Sequence, residues 1–178
     1  ARMYGDAGND SVSGDAGKDT LYGRAGDDTL TGGAGDDRLY GDDGSDVVTG
    51  GAGDDRVYGG AGDDQLSGGE GEDSLRGGSQ NDVLIEGGSG NATIDGGGGE
   101  DRVRGGSGAD VFVFSSVADQ GDRIYDFSIR AGDRFDVSDL LADNGLTLQQ
   151  ALADGVLGLS KASGSSSYLD FDLDGTDG

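Results

Sequence analysis

The chain has 178 residues, of which 40 are Gly, and it contains no Pro, Cys, His or Trp. Acidic residues outnumber basic ones 36 to 12, so the formal net charge is −24, and only 32% of the residues are hydrophobic. This composition excludes an ordinary hydrophobic core at this length. Without His or Cys, the usual zinc sites and His-activated nucleophiles are excluded as well.

The acidic charge also restricts the partners of the chain. A surface of this sign repels phosphate, so we expect neither nucleic acid nor an anionic membrane as a partner. No apolar run approaches the roughly 20 residues that span a bilayer, so we expect no membrane insertion. Two classes of protein remain: a disordered acidic segment, and a fold that is completed by cations with oxygen ligands.

An internal repeat distinguishes these two classes. Residues 5–113 form twelve nonapeptides in phase, with one extra residue, Glu86, after the ninth. Position 1 is Gly in all twelve, position 4 is Gly except at Gln80, position 6 is Asp except at Ala92, and position 8 is always apolar. A disordered segment has no reason to keep an apolar residue in phase twelve times, so the repeat favours a folded solenoid.

Each repeat position predicts a local structure. The Gly-rich first half can adopt positive φ angles and form a tight turn. The last three residues alternate polar, apolar and polar, which predicts a short strand with one buried face. Two turn–strand units make one coil of 18 residues, and parallel stacking of coils places residues 18 apart above one another.

The stacked loops bring acidic residues together. Parallel strands about 4.8 Å apart place successive carboxylates close to each other, where like charges either become protonated or recruit a cation. Carboxylates and turn carbonyls are hard oxygen ligands, and a flexible loop that supplies six or more suits Ca²⁺ better than Mg²⁺. One predicted edge carries Asp10, Asp28, Asp46, Asp64 and Asp82, and the other carries Asp19, Asp37, Asp55 and Asp73.

The consensus G-G-x-G-x-D-x-U-x over residues 5–113 resembles that of the RTX (repeats-in-toxin) calcium-binding family. This resemblance implies an all-β fold, a parallel β-roll (β-solenoid), with one Ca²⁺ between successive loops on the same edge. Each ion would bind the carbonyls of positions 2 and 4 and the Asp of one loop, and the carbonyls of positions 1 and 3 and the Asp of the next. One site would use Gly33 O, Gly35 O, Asp37, Gly50 O, Ala52 O and Asp55. Its neighbour on the other edge would use Asp42 O, Gly44 O, Asp46, Gly59 O, Ala61 O and Asp64.

The same resemblance supplies the full set of candidate ligands. The carboxylates are those of Asp10, Asp19, Asp28, Asp37, Asp46, Asp55, Asp64, Asp73, Asp82, Asp101 and Asp110. The loop residues are Gly26, Gly33, Gly35, Gly41, Asp42, Asp43, Gly44, Gly50, Gly51, Ala52, Gly53, Gly59, Ala61, Gly68 and Glu70.

The number of ions follows from the pairs of aspartates two repeats apart. Of ten pairs, two lack a carboxylate at Ala92, and the pair Asp82–Asp101 spans the extra Glu86. We therefore expect seven or eight Ca²⁺ ions. Residues 5–113 contain 24 acidic and 7 basic residues, so the ions would nearly neutralise this block. One buried aliphatic residue per nine cannot offset the entropy of ordering them, so we expect the metal-free roll to be unfolded.

The period stops after Val113, which predicts a second region over residues 114–178. Apolar and aromatic residues concentrate in Gly108–Phe114, Asp122–Phe127 and Gly132–Leu141. We expect these segments to form strands of a cap over the open end of the roll, with a short helix over residues 146–157. Asp170, Asp172 and Asp174 match the opening of an EF-hand loop, but a terminal strand and turn is the favoured interpretation.

The C-terminal region also resembles the flank that follows RTX repeats in type I-secreted proteins. The segments DVSDLL and LDFDLDGTDG resemble the secretion target domain of large bacterial RTX adhesins. The resemblance implies a secreted, extracellular protein, with attachment to the cell surface as one form of it, whose partners are Ca²⁺, the type I secretion machinery and upstream domains. The alternative is the C-terminal module of a secreted metalloprotease, lipase or alginate epimerase. We expect no catalytic site in these 178 residues, which lack His, G-x-S-x-G and G-x-G-x-x-G.

Outward-facing positions stack as well. The tyrosine ladder consists of Tyr4, Tyr22, Tyr40 and Tyr58, and a Ser/Thr ladder consists of Ser13, Thr31, Thr49 and Ser67. Ordinary cross-strand pairing is the favoured interpretation of both. A contact surface beside Arg38 and Arg56, and a water- or ice-ordering face, are the alternatives.

Overall fold

A computed structural model gives the structure of the chain and describes residues 1–85, 90–116, 119, 121–143, 147, 158–161 and 169–172. Short strands dominate the described residues, which contain one α-helix, α1 (Ser138–Asp143), after the fifteenth strand. The strands are β1 (Arg2–Tyr4), β2 (Ser11–Ser13), β3 (Thr20–Ala25), β4 (Thr29–Ala34), β5 (Arg38–Asp43), β6 (Val47–Ala52), β7 (Arg56–Ala61), β8 (Gln65–Glu70), β9 (Ser74–Ser79), β10 (Val83–Ile85), β11 (Thr93–Gly98), β12 (Arg102–Arg104), β13 (Val111–Val113), β14 (Arg123–Ile124), β15 (Arg134–Asp136), β16 (Gly158–Lys161) and β17 (Leu169–Asp172).

The strands alternate between two sheets. Odd-numbered strands β1 to β15 form one sheet in sequence order, and even-numbered strands β2 to β14 form the other, which β17 and β16 extend. Pairings from β1 to β15 are parallel, whereas β17 pairs antiparallel with β14 and β16. The predicted parallel β-roll is confirmed.

The register follows the 18-residue coil. Leu21 pairs with Leu39, and Leu39 pairs with Val57. Across the extra residue the spacing becomes 19, and Leu84 pairs with Val103. Glu86 itself lies outside the described residues, but the strands on either side of it stay in register.

The strands are longer than the repeat pattern predicts. Six-residue strands continue from positions 7–9 into positions 1–3 of the next repeat, where Gly33 pairs with Gly51 and Ala34 with Ala52. The prediction assigned positions 1–3 to a tight turn because glycine can adopt positive φ angles. In the roll each such segment pairs with the coils on either side, and glycine allows the positive φ of 113° and 124° at Gly33 and Gly51.

The core is a single layer of position-8 side chains between the sheets. Leu21, Leu30, Leu39, Val48 and Val57 are fully buried. Further along, the layer contains Leu66, Leu75, Leu84, Ile94, Val103 and Phe112. Val12, in the first complete repeat, is partly buried. The predicted inward orientation of position 8 therefore holds along the roll.

Both sheets continue past the last repeat. Ile124 pairs with Val103 and Phe135 pairs with Phe112, although these residues are 21 and 23 apart instead of 18. The Phe127 and Phe135 rings stack at 4.3 Å, and Phe112 packs against both. The aromatic cluster therefore covers the end of the aliphatic layer, as a cap would.

One part of the predicted cap is wrong. Leu140 and Leu141 were expected in a strand but lie in α1, where the Leu141 N–H donates to Val137 O at 3.0 Å. The Asp136 carboxylate accepts hydrogen bonds from the Ser138 N–H and hydroxyl, which supports the start of the helix. The helix expected over 146–157 lies, except for Thr147, outside the described residues. Asp170 and Asp172 lie in β17, and Asp174 lies outside the described residues.

Val47 and Val48 offer a matched test of the single-layer core. Val48 is fully buried and Val47 is 42% exposed. We expect Val48→Ala to lower the free energy of unfolding of the calcium-saturated chain by about 2 kcal/mol, and Val47→Ala to change it by less than about 0.5 kcal/mol. Urea denaturation measures both, and equal effects of the two substitutions would contradict the assigned orientation.

Candidate metal sites at the coil edges

Each position-6 aspartate immediately precedes a strand, and its side chain is enclosed by the loops on that edge. Asp28, Asp37, Asp46, Asp55 and Asp64 are each 1% exposed, and Asp73, Asp82, Asp101 and Asp110 are equally enclosed. At the start of the roll, Asp10 is half-buried and Asp19 accepts a hydrogen bond from the N-terminal amine. The structure therefore forms the two predicted aspartate rows.

From Asp28 onward, one oxygen of each position-6 carboxylate accepts a backbone N–H of the preceding coil. The Asp37 N–H donates to Asp55 Oδ1, and the Asp46 N–H donates to Asp64 Oδ1, both at 2.8 Å. The same bond joins Asp82 N–H to Asp101 Oδ1 at 2.8 Å, so the extra residue does not disturb this pair. At the substituted repeat the Ala92 N–H donates to Asp110 Oδ1, and Ala92 supplies no carboxylate of its own.

The second oxygen has no such partner. Among the described residues, no donor reaches the buried Oδ2 atoms of Asp19, Asp28, Asp37, Asp46, Asp55, Asp64, Asp82, Asp101 and Asp110. A buried charged oxygen without a partner is costly, and proteins satisfy such groups with hydrogen bonds, ions or water. The rows therefore present a series of oxygens that require a positive partner.

A carbonyl of the next coil converges on the free oxygen of Asp19, Asp28, Asp37, Asp46, Asp55, Asp64 and Asp82. A Cβ placed on Gly32 would lie 2.5 Å from both Asp37 Oδ2 and Gly50 O. Asp46 Oδ2 and Gly59 O converge in the same way at Gly41, as do Asp55 Oδ2 and Gly68 O at Gly50, and Asp28 Oδ2 and Gly41 O at Gly23. Only glycine at position 1 leaves this space for the oxygens.

The donor set fits a hard cation. Within the described residues, no three carboxylates converge on one point that could hold a metal ion. A site would therefore combine two stacked aspartates with backbone carbonyls, which are ligands that Ca²⁺ accepts. Asp37 with Gly50, and Asp46 with Gly59, are brought together as the predicted sites require.

The other predicted carbonyl ligands have neighbours in adjacent coils. Ala52 O accepts the Gly35 N–H at 2.7 Å and Ala61 O accepts the Gly44 N–H at 2.8 Å. Each carbonyl oxygen keeps a second lone pair. Asp43 O and Glu70 O accept the N–H groups of Gly26 and Gly53 in the same way, and the carbonyls of Gly33, Gly35, Asp42 and Gly44 face the glycines of the following coil. Their role as ligands stays a prediction.

Burial raises the pKa of these carboxyl groups. The pKa of Asp55 and Asp64 rises to about 6 and that of Asp82 to about 8, although a backbone N–H to each carboxylate acts in the opposite direction. A carboxyl group whose pKa is raised on folding contributes stability that is fully present below its ordinary pKa and is lost as pH rises through the raised pKa. At neutral pH the buried carboxylates therefore oppose folding unless a cation neutralises them.

Two aspartates beyond the repeat join the rows, and the sequence interpretation missed them. The Asp101 N–H donates to Asp122 Oδ1 at 2.9 Å, and the Asp110 N–H donates to Asp133 Oδ1 at 3.1 Å. Asp122 is 2% exposed and Asp133 is 9% exposed. Each stands before Arg and an apolar residue, a triplet also found at Asp55–Val57. This triplet could have located them without the nine-residue period.

Position 5 forms a second, outer ladder that the sequence interpretation also missed. Asp36 Oδ1 accepts the Asp54 N–H at 3.3 Å, and Asp54 Oδ1 accepts the Glu72 N–H at 3.0 Å. Asn9, Asp27, Asp63, Asn81 and Asn91 accept equivalent bonds. The position-5 side chain accepts a backbone N–H of the following coil, and the position-6 carboxylate accepts a backbone N–H of the preceding coil. Each loop is therefore hydrogen-bonded to the loops on both sides of it.

The outward ladders pair as predicted. Adjacent rings of the tyrosine ladder stack at 4.9 to 5.1 Å between centroids, so they cover each other's faces. The Ser/Thr ladder is in register from Ser13 to Ser67. This geometry is that of cross-strand pairing.

The family model for the RTX calcium-binding nonapeptide repeat (4 copies) matches residues 2–30, 13–48, 22–57, 49–84 and 84–112. These overlapping matches cover more than half of the chain. A comparison with curated proteins gave no match. In the part of the chain that the structure describes, no helix is both long and apolar enough to cross a membrane.

The convergence of oxygens at position 1 can be tested with Gly32→Ala. Its Cβ would occupy the space between Asp37 Oδ2 and Gly50 O, so we expect the calcium-saturated chain to bind at least one ion fewer. Gly17→Ala is the control, because Gly17 has φ of 106° but no atom within 4 Å of its Cβ position. We expect it to strain the backbone by about 1–2 kcal/mol and to keep the full ion count. Equilibrium dialysis gives both counts, and an unchanged count in Gly32→Ala would contradict the assignment.

The outer ladder can be tested at Asp54. Asp54→Asn keeps the acceptor for the Glu72 N–H, whereas Asp54→Ala removes it. In saturating Ca²⁺ we expect Asp54→Ala to lower the free energy of unfolding by about 1 kcal/mol and Asp54→Asn to match the unsubstituted chain. If urea denaturation shows equal losses for both variants, the charge of Asp54 and not its hydrogen bond is what matters.

Proposed function

Since the chain belongs to the RTX calcium-binding nonapeptide-repeat family, we propose that Ca²⁺ at the coil edges completes its fold and makes it a calcium-triggered folding and secretion module of a larger extracellular bacterial protein. RTX repeats bind Ca²⁺, and RTX proteins are typically secreted. The repeat block is a calcium-binding, structural and non-catalytic module.

One observation carries the proposal. In both aspartate rows a buried Oδ2 without a hydrogen-bond donor lies beside a carbonyl oxygen of the next coil. Ca²⁺ would supply the positive charge that these oxygens lack. Asp37, Gly50 and Asp55, and on the other edge Asp46, Gly59 and Asp64, would hold two neighbouring ions, with the remaining predicted carbonyls completing each set.

The proposed number of ions is seven or eight within the repeat. The undisturbed geometry of Asp82 and Asp101 supports the eighth ion, because their backbone-to-carboxylate bond matches that of the other pairs. Each ion would join two successive coils, so binding and stacking would be coupled. A chain with these sites would stay unfolded at cytosolic Ca²⁺ levels and fold outside the cell, where modules of this kind bind at ~10⁻⁴–10⁻³ M.

We propose an adhesin as the parent protein, with the roll at residues 1–113 and a capping, secretion-associated region at residues 114–178. The resemblance of DVSDLL and the C-terminal segment to the secretion target domain of RTX adhesins supports this assignment. The alternative is the C-terminal module of a secreted enzyme. Tandem Ig-like repeats upstream would indicate an adhesin, and a zinc or nucleophile motif would indicate an enzyme.

Calcium titration followed by circular dichroism tests the folding role. We expect a disordered spectrum in excess chelator and a cooperative transition on adding Ca²⁺. Asp55→Ala removes a ligand from two stacked sites, so we expect its calcium midpoint to rise roughly tenfold or more, while Asp54→Asn controls for the loss of one charge. A folded spectrum in excess chelator, or an unchanged midpoint in Asp55→Ala, would refute the folding role.

Export from cells tests the secretion role separately. Deletion of residues 114–178 is expected to abolish export of the parent protein, whereas Asp55→Ala is expected to leave export intact and impair folding afterwards. Immunoblots of the medium and of cell extracts measure both. Undiminished export after the deletion would contradict a secretory role of the C-terminal region.

A further inference from the structure

The two aspartate rows do not end with the last repeat. Asp101 and Asp110 are the last position-6 aspartates, and no described donor reaches the buried Oδ2 of either. Their carboxylates are 1% and 0% exposed. Because a roll that ended at Val113 would leave these oxygens in water, the residues that follow the repeat must cover them.

At the Asp101 edge the covering residue is another aspartate. Asp122 accepts the Asp101 N–H at 2.9 Å, which is the bond that joins aspartates within the repeat. It is 2% exposed, and its carboxyl group lies within hydrogen-bonding reach of the Asp101 carboxyl group. Two carboxylates that share a dry space need a proton or a cation between them.

No described basic side chain neutralises these two carboxylates, those of Asp101 and Asp122, by a direct ion pair. The nearby carboxylate of Asp119 is 1% exposed and binds the N–H groups of Ser115 and Ser116, so it adds negative charge. A further neighbouring acid, Asp95, is paired with Arg76 at 3.5 Å.

We infer that a calcium ion binds between Asp101 and Asp122 and closes this row outside the nonapeptide repeat. The inference rests on the proposed function and adds one site to the seven or eight of the repeat. Asp101 would supply the buried Oδ2, and Asp122 would supply the stacked carboxylate that the next repeat would otherwise provide. The site therefore links the roll to the cap.

The opposite edge closes differently. One carboxylate oxygen of Asp133 accepts the Asp110 N–H at 3.1 Å, and the other accepts the Ser128 N–H at 2.7 Å. Asp126 binds the N–H groups of Gly105 and Gly106 at 3.0 and 2.9 Å. Backbone donors thus hold the carboxylates that follow the repeat at this edge, and no ion is inferred there.

Ion counting in the full chain tests the inference. Asp122→Asn keeps the oxygen that accepts the Asp101 N–H but removes the charge, so we expect it to bind one Ca²⁺ fewer than the unsubstituted chain. Asp126→Asn is the matched control, since both of its oxygens bind backbone N–H groups, and we expect the full count. Equilibrium dialysis against Ca²⁺ followed by mass spectrometry of the metal gives these numbers. An unchanged count in folded Asp122→Asn would overturn the inference.

Crystals of the unsubstituted chain grown in Ca²⁺ test the same site without a variant. We expect an anomalous scattering peak between Asp101 and Asp122 in addition to peaks along the repeat. Peaks along the repeat with none at this position would overturn the inference alone. The absence of bound Ca²⁺ throughout the chain would overturn the proposed function and the inference together.

Discussion

The fold depends on rows of carboxylates that are buried with half of their hydrogen-bonding capacity unused. Within each row one oxygen accepts a backbone N–H of the preceding coil, and the other lies beside a carbonyl of the next coil. Without a cation this arrangement places charge in a dry environment, which opposes folding at neutral pH. The same oxygens become favourable ligands once a cation is present. The acidic composition and the stacked fold therefore both depend on a cation that neutralises the buried carboxylates.

Different oxygens of the loops set the distance between coils and carry the negative charge that needs a cation. The bonds at positions 5 and 6 run in opposite directions along the roll and fix the distance between loops through backbone N–H groups, as at Asp36 and Asp55. The buried Oδ2 atoms take no part in these bonds. Because each coil contacts only its neighbours, these local arrangements add along the solenoid, and the strands that flank the extra residue stay in register.

The end of the roll shows how a repeat is closed without a change of architecture. The spacing lengthens to 21 and 23 residues, yet Ile124 and Phe135 continue the core layer and Asp122 and Asp133 continue the aspartate rows. The longer connections provide room for the aromatic cluster that covers the apolar layer. The described residues that follow the repeat therefore share the core layer and the aspartate rows of the roll.

The sequence by itself determined the parallel roll, the position-8 core and the two aspartate rows, because a strict nine-residue period determines which residues of successive coils lie above one another. The tertiary structure alone decided the features that depend on contact with another coil or on irregular spacing. Positions 1–3 became strand because neighbouring coils pair with them at Gly33 and Gly51. Asp54 gained its role from a backbone N–H 18 residues away, and Leu140 entered a helix where the period no longer constrains the chain. Asp122 reached its row because sheet pairing, and not the repeat length, sets its position.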